Sequence, residues 1–583
     1  MQTDTIISQL QKLWRHLNQR RRGQFGLLLV LMIFASLTEV LSISAVLPFL
    51  GALTAPEQVF SNVIAQTFFQ YLGVSSSTQL LLPLTLAFVS AALLAGCTRL
   101  LLLWASIRLT YAVGADLSFS IYQRTLYQPY EVHLARNSSE VIAGITTKVS
   151  SVTHNLFQLL NLLSSCVLML FIVTALLFID PIVATSAMVG FFSIYALIIL
   201  ITRNRAHSNS YRISRNSSKV IKALQEGLGG IRDVLIDGSQ ATYCKIYRDA
   251  DLSLRQAQGS NAFIHSSPRI GVETLSMLLI ATLAYALSND EAGFSKAIPV
   301  LGGLALGAQK MLPAMQQIYA GWASLRGDHA SIKDTVDLLN QSLPESSYLP
   351  AQSMISFNES ITLNKVGYRY SAQSAWIFRN LSIVIPKGSR IGFVGKTGSG
   401  KTTLLDIVMS LLLPTEGTLN VDDQTITAAN HRNWQAHIAH VPQAIYLADS
   451  TIAENIAFGV PKDNIDYFRV RQAAQQAKIS ETIESLPLQY NSFVGERGIR
   501  LSGGQRQRIG IARALYKKAN VIVFDEATSA LDSNTEEEVM DAIESLSENI
   551  TILIIAHRIS TLKNCNQILE LNNGFINYIK SGV

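Results

Sequence analysis

Charged side chains are scarce in this sequence. Asp, Glu, Lys and Arg make up 15% of its 583 residues, 49% are hydrophobic, and the mean hydropathy is +0.26. An ordinary soluble domain carries about 25% charged residues, so a wholly water-soluble chain is excluded. Cysteine is also sparse. Cys97, Cys166, Cys244 and Cys565 are scattered, with no C-x-x-C pair, which excludes a disulfide framework and a cysteine zinc site. The net charge is only +6. That small excess fits cytoplasmic membrane flanks better than a nucleic-acid surface, so no nucleic-acid partner is expected. A cleavable signal peptide is not expected either. The first apolar run, near 25–50, outlasts an h-region of about 7–15 residues.

What the chain does have is length and long apolar runs. It is too long for one core, so at least two domains are expected. Six stretches, near 25–50, 78–109, 153–179, 181–203, 267–288 and 296–325, each reach the roughly 20 residues that cross ~30 Å of hydrocarbon. The basic run Arg20-Arg21-Arg22 stands directly before the first. Between Gly51 and Thr98 there is no Lys or Arg, whereas the segment after Arg203 is rich in them. The positive-inside rule therefore puts the N-terminus and that segment in the cytoplasm. Six crossings return the chain to the cytoplasm, so a multi-pass protein of the cytoplasmic (inner) membrane is expected, in contact with the lipid bilayer.

The segments 110–152 and 204–266 are polar and mostly free of Gly/Pro clusters. They read as cytoplasmic extensions of spanning helices. Within 55–75, Phe60, Val63, Ile64, Phe68, Tyr71 and Leu72 recur at helical spacing. This reads either as an amphipathic helix in the outer interface or as packing against the bundle ends.

The motif that organises the rest is Gly395-Lys396-Thr397-Gly398-Ser399-Gly400-Lys401-Thr402, followed by Thr403. It fits G-x-x-x-x-G-K-[ST] between an apolar strand and a helical run. Glycines let the backbone curl its N–H groups toward an anion, and the following helix turns its positive end to the same anion. Lys401 is placed for β- and γ-phosphates and Thr402 for Mg²⁺. Leu501-Ser502-Gly503-Gly504-Gln505 comes about a hundred residues later. Then Val521 to Phe524 lead into Asp525 and Glu526, and His557 follows a second apolar strand.

In that order and spacing, the sequence resembles the ATP-binding cassette transporter family. The resemblance implies a six-helix all-α transmembrane exporter domain followed by an α/β P-loop ATP-binding cassette domain. The expected divisions are 1–335 for the first, 336–354 for a linker and 355–583 for the second. It also implies ATP and Mg²⁺ as ligands and ATP hydrolysis coupled to transport. Tyr370 is the implied adenine-stacking aromatic, with Tyr368 as its close competitor. Gln443 matches the loop glutamine near Mg²⁺, Asp525 the acid of the Mg²⁺ shell, and Glu526 the general base. His557 matches the switch histidine and Asp532 the loop that communicates across a dimer. Ser502, Gly503, Gly504 and Gln505 match the signature that binds ATP held by an opposite subunit. One copy of each motif per chain implies a homodimer with two composite sites.

Val494-Gly495-Glu496-Arg497-Gly498 resembles the short cross-linking loop of exporters. Stretches 127–133 and 225–232 match the two intracellular loops of that branch, implying short transverse helices. Alternation at Ile361, Leu363 and Val366, and at Ile383 and Ile385, reads as an antiparallel edge sheet.

Ionisable residues inside spans cost roughly 2.5–3.5 kcal/mol each on an insertion scale. They include Arg99, Arg269, Glu273 and Lys310. Arg269 and Glu273 are one turn apart and read as an internal ion pair. Arg99, Arg269 and Lys310, doubled by dimer symmetry, read alternatively as a basic lumen for an anionic head group. Leu47-Pro48-Phe49, Ser267-Pro268-Arg269-Ile270 and Lys310-Met311-Leu312-Pro313 resemble the PglK-type flippases of lipid-linked oligosaccharides and related glycolipid or polysaccharide exporters. Gln316-Gln317 depart from that pattern, which places another cation there. A flippase of a lipid-linked glycan or glycolipid is the reading this supports. A drug or peptide exporter of the same architecture is the alternative. A non-transporting ATPase of the same superfamily is excluded by six spans.

Overall fold

Leu, Ile, Val and Ala dominate the first part of the chain, and they build helices. The computed structural model describes residues 5–54, 80–179, 181–288, 311–343, 354–526, 536–537, 549–556, 562, 565–572 and 574–581. It divides into two compact units. One comprises 1–128 with 136–343, the other 129–135 with 344–583.

In the first unit, α1 (Ile6–Arg15), α2 (Gln19–Thr54) and α3 (Leu81–Leu126) come first. Then come α4 (Tyr130–Ala135), which belongs to the second unit, and α5 (Ser138–Ala143). A π-helical segment, Gly144–Lys148, leads into α6 (Val149–Ile179). Next are α7 (Pro181–Gly229), α8 (Ile231–Ile236), α9 (Gln240–Ser288), α10 (311–327) and α11 (His329–Leu339). At 1.5 Å per residue, the 46 residues of α3 reach about 69 Å, well past the ~30 Å of hydrocarbon. Residues 110–126 continue α3, and 204–229 and 240–266 belong to α7 and α9.

Among the described residues, three stretches are long and apolar enough to cross a membrane: Gln19–Val46, Leu81–Leu126 and Ser138–Thr174. Leu27, Leu82, Leu93 and Leu100 stand exposed along them, an apolar surface that only lipid or another chain would cover. Their inner faces pack Leu28, Met32 and Ala35 of α2 with Leu102, Leu109 and Val113 of α3. The Thr38 and Thr98 hydroxyls lie 2.9 Å apart inside that contact. Of the sixth expected span, 296–310 lies outside the described residues, as do 55–75.

The linker begins later than 336. Val336, Leu338 and Leu339 are buried in α11, and an added Cβ on Gly144 would lie 2.3 Å from Leu338 Cδ1. Residues 336–339 are therefore the last turn of a packed helix, held also by Lys148 Nζ on Asp334 at 2.7 Å.

In the second unit, β1 (Ser360–Tyr368) pairs antiparallel with β2 (Phe378–Pro386), Ile361 opposite Ile385 and Leu363 opposite Ile383. The buried positions run 361 and 363, then 366 and 368, a slip of one in the two-residue period. A bulge absorbs it, with Lys365 at φ 47°. The sheet order is β2-β1-β4-β5, with β4 (Glu416–Val421) and β5 (Gln424–Thr425). Gly417 is required there, because an added Cβ would lie 2.3 Å from Lys365 O.

A second sheet holds β3 (Arg390–Val394), β6 (Ile438–Val441), β7 (Val521–Asp525), β8 (Thr551–Ile555), β9 (Gln567–Asn572) and β10 (Phe575–Ser581). Its order is β10-β9-β3-β8-β7-β6, parallel except for β10. Val521 to Phe524 and all of β8 are buried, the continuous apolar pattern of strands covered on both faces. Helices α12 (Lys401–Val408), α13 (Ile452–Ile456), α14 (Tyr467–Gln476) and α15 (Gly503–Tyr516) surround it. In such sheets ligands bind beyond the carboxyl ends of the strands. Those are the ends at which Gly395, Gln443 and Glu526 stand.

Candidate nucleotide site

The loop after β3 is a curl that only glycine permits at its turning points. Gly395, Gly398 and Gly400 have φ of 149°, 81° and 96°. An added Cβ on Gly395 would lie 2.4 Å from Leu571 O of β9. Gly400 caps α12 without a side-chain acceptor, so the first N–H groups of that helix remain available. Lys401 Nζ folds back over the loop and donates to Gly395 O at 2.9 Å and Lys396 O at 3.1 Å. Ser399 Oγ is buried with no partner among the described residues. An amide cradle, an ammonium resting on loop carbonyls and a hydroxyl without a partner among the described residues fit a bound phosphate chain.

Across from the loop, Asp525 ends β7. Burial and the charge of Glu526 push its carboxyl up, while the Thr402 hydroxyl and Lys401 pull it back. Glu526 turns away from the strand at φ 50°. Its N–H donates to Ile555 O at 3.0 Å, and its Oε2 accepts from Gln443 Nε2 at 2.7 Å. Lys401, Thr402, Gln443, Asp525 and Glu526 thus form one cluster from three strand ends. An oxygen donor pair, Thr402 and Asp525, suits a hard divalent cation.

Tyr370 and Tyr368 are separated by burial. Tyr368 is 1% exposed and Tyr370 52%. Only Tyr370 offers a free ring face, and its hydroxyl lies 3.1 Å from Thr403 Oγ1. Tyr368 meets it edge-on, with ring centroids 5.2 Å apart, and donates its hydroxyl to Glu131 Oε1 of α4 at 3.4 Å. Burial, and then the charge of Glu131, push the Tyr368 phenol well up.

Ser502 caps α15. Its Oγ accepts from Gln505 N at 3.2 Å, and its own N–H donates to Gln505 Oε1 at 2.9 Å. Serine and glutamine at this spacing form a reciprocal cap, which fixes Gly503 and Gly504 at the positive end of a helix. Among the described residues no hydrogen bond joins Ser502, Gly503, Gly504 or Gln505 to the phosphate loop. Asp532, His557 and Lys310 lie outside the described residues. Arg269 Nε meets Glu273 Oε1 at 2.9 Å while staying largely exposed. Arg99 is exposed and makes no ion pair among the described residues.

Sequence reading missed two features here. Asp406 lies buried on α12, and burial with the charge of Asp525 pushes it up to about 6. An acid inside the otherwise apolar run Leu404-Leu405-Asp406-Ile407-Val408 was the available signal. The second is Tyr130, which burial and then the Asp406 carboxyl push up. It stands beside Glu131 at the start of α4, far from this site in sequence.

Residues 378–529 match the family described as ABC transporter, and 27–288 match the ABC transporter transmembrane region. The chain belongs to the ABC transporter family. It carries a helical transmembrane region and an α/β ABC transporter domain on one polypeptide.

It is 31% identical to an ATP-dependent lipid A-core flippase of Chromohalobacter salexigens, over 66% of each chain. It is 29% identical to another, of Saccharophagus degradans, over 80% of this chain and 78% of that one. The match thus spans 66% of the first relative's length, just short of two thirds. A bacterial Atm1-family ABC exporter with ATP bound has the same fold. The TM-score is 0.77 at 24% identity, over 95% of this chain and 94% of that one.

Proposed function

We propose that two copies of this chain form an ATP-driven exporter that flips an amphipathic lipid bearing a glycan head across the cytoplasmic membrane. The cluster of Lys401, Thr402, Gln443, Asp525 and Glu526 carries the ATPase part of this reading. The phosphate loop and Lys401 bind the β- and γ-phosphates, and Tyr370 stacks on adenine. Thr402 and Asp525, with Gln443 beside them, would hold Mg²⁺, which neutralises phosphate charge. Glu526 takes a proton from the water that attacks the γ-phosphorus in line. The bond to the β-phosphate oxygen breaks, leaving ADP and phosphate. His557 contacts the γ-phosphate, and Asp532 communicates between subunits.

Ser502 and Gly504 complete the site on the opposite chain, using the capped end of α15 as an anion receptor. A single copy of the signature per chain supports a homodimer with two equivalent sites. Charge asymmetry supports the cytoplasmic placement of the N-terminus and nucleotide domain. The flippase names of the relatives support a lipid substrate. Arg99, Arg269 and Lys310 supply positive charge for an acidic or pyrophosphate head group, with the acyl tails left in the bilayer.

The test reconstitutes the protein in liposomes and measures ATP hydrolysis with and without a lipid-diphosphate glycan or lipid A bearing core sugars. Stimulation by one of them, lost in Arg269→Ala, is the expected result. Equal turnover with either glycolipid, with a phospholipid and with neither would end the flippase reading. Light scattering that finds only monomers at full ATPase activity would end the dimer.

A further inference from the structure

Helix α6 carries no Asp, Glu, Lys or Arg over its whole length. It is nevertheless polar along one side. Ser151, His154, Gln158, Asn161 and Ser165 recur every three or four residues, a single stripe on a helix. The top of the stripe is closed, since Ser165 Oγ donates to Gln317 Oε1 of α10 at 2.6 Å. Lower down α6 and α10 touch. An added Cβ on Gly321 would lie 2.9 Å from Gln158 O. Asn155 Nδ2 donates to Asp328 Oδ2 at 2.9 Å, and Ser324 Oγ donates to Asn155 Oδ1 at 2.8 Å.

The foot of the stripe is open. There a cavity of ≈ 790 Å³ is lined by Ile145, Thr146, Thr147, Ser150, Ser151, His154 and Asp328. Residues 145–147 of that wall belong to the π-helical segment Gly144–Lys148, a distortion found mostly at functional sites. Thr146 Oγ1 and Ser150 Oγ spend their protons on the carbonyls of Ile142 and Thr146, which leaves them as acceptors. The Thr147 and Ser151 hydroxyls have no partner among the described residues, so each can donate and accept. Asp328 accepts, and His154, whose Nε2 lies 3.3 Å from Gln158 Nε2, keeps its other nitrogen.

A solvated helix face ordinarily carries Lys, Glu or Arg. Beside the apolar Ile145, this wall has neutral hydroxyls, an imidazole and one carboxylate, with no Lys or Arg to hold a phosphate. Interleaved donors and acceptors of that kind match a ligand that is itself a set of hydroxyls. We propose that this cavity binds sugar hydroxyls, the uncharged part of a glycolipid head group, at the foot of α6. The proposal rests on the glycolipid reading above and assigns the neutral sugars a place apart from the cations.

The test uses the full-length protein in nanodiscs and reads the half-maximal concentration at which a glycolipid stimulates ATP hydrolysis. Lipid A bearing core sugars and lipid A stripped of them are the two probes. Each neutral hydrogen bond lost weakens binding about five-fold. Thr147→Val with Ser151→Val therefore raises the value for the core-bearing probe on the order of 25-fold and leaves the stripped probe's value in place. Thr147→Ser with Ser151→Thr keeps both hydroxyls and restores the wild-type response. Equal shifts for both probes, or none for the core-bearing one, overturn the proposal.

Should neither probe stimulate the wild type, lipid A fails as the flipped lipid, and calorimetric titration with the released core oligosaccharide decides the cavity. Binding to the wild type that is lost in the valine pair sustains the proposal. No binding, or binding unchanged in that pair, overturns it.

Discussion

The side-chain amide of Gln443 donates to the carboxylate of Glu526 over 2.7 Å, joining the end of β6 to the end of β7. A neutral donor therefore holds the proposed base in place without adding charge beside Asp525. Any water that Glu526 activates must come within reach of the same carboxylate, so Gln443 and that water share one acceptor.

Glu526→Gln keeps the shape and removes the proton acceptor. Hydrolysis is expected to fall about 10²–10⁴-fold, the range for a lost general base, while ATP binding persists. Steady-state phosphate release beside equilibrium binding of a fluorescent ATP analogue checks it. Wild-type turnover in this variant would remove Glu526 from the role.

Lys401→Ala acts on binding. The ammonium already sits across Gly395 O and Lys396 O, so little rearrangement stands between it and a phosphate. Charge-assisted bonds contribute about 1.5–3 kcal/mol, so ATP affinity is expected to drop roughly 10- to 100-fold. Nucleotide titration at fixed ionic strength measures this.

Tyr370→Ala is expected to raise KM for ATP at least about five-fold, since base stacking on an aromatic contributes about 1–3 kcal/mol. Behind it, Tyr368 and Glu131 form a pair that a double-mutant cycle can isolate. Tyr368→Phe and Glu131→Ala are expected to couple by about 0.5–1.5 kcal/mol in unfolding free energy. Strict additivity would show that the 3.4 Å bond is idle.

Asp422 gives a pH dependence with a definite sign. Its carboxylate is partly buried, which raises its pKa. It also accepts the N–H groups of Asn358, Glu359 and Ser360 at 2.7, 2.8 and 2.9 Å, and these bonds win, so its pKa lies below the usual 3.8. The unfolded chain then binds more protons in that range, and stability is present above pH 3.8 and lost as pH falls through the depressed value. Asp422→Asn, which tolerates the local φ of 47°, is expected to cost about 1–3 kcal/mol at pH 7. The gap to wild type should close in acid. Thermal unfolding of both proteins across that range reads it.

Much of this was legible in the residues. Glycines at three left-handed positions, an apolar strand ending in Asp525-Glu526 and a serine–glutamine cap are local patterns, and local chemistry dictates their geometry. The phosphate cluster follows because parallel strands of one sheet bring their carboxyl ends together. Other features depend on distant partners. The upward push on Asp406 comes from its burial and from the charge of Asp525, and no spacing rule links residue 131 to residue 368. The π-helical turn has no composition cue, since Gly-Ile-Thr-Thr-Lys suits an ordinary helix equally well. The slip in β1 was visible as a change of phase, but its repair at Lys365 was not. The late start of the linker was also in view. Ile332, Val336 and Leu339 continue a helical apolar face past 335, and the polar run from Asn340 masked it.

Helix α4 lies between α3 and α5 in the chain, yet it counts among the residues of the other unit. A gene cut at the linker would therefore not yield the whole of that unit. The excised piece would lack residues 129–135 of its own unit, with Tyr368 stripped of Glu131 and Asp406 of its neighbour Tyr130. Assays on such a fragment would report on a domain missing part of its own packing behind Tyr368.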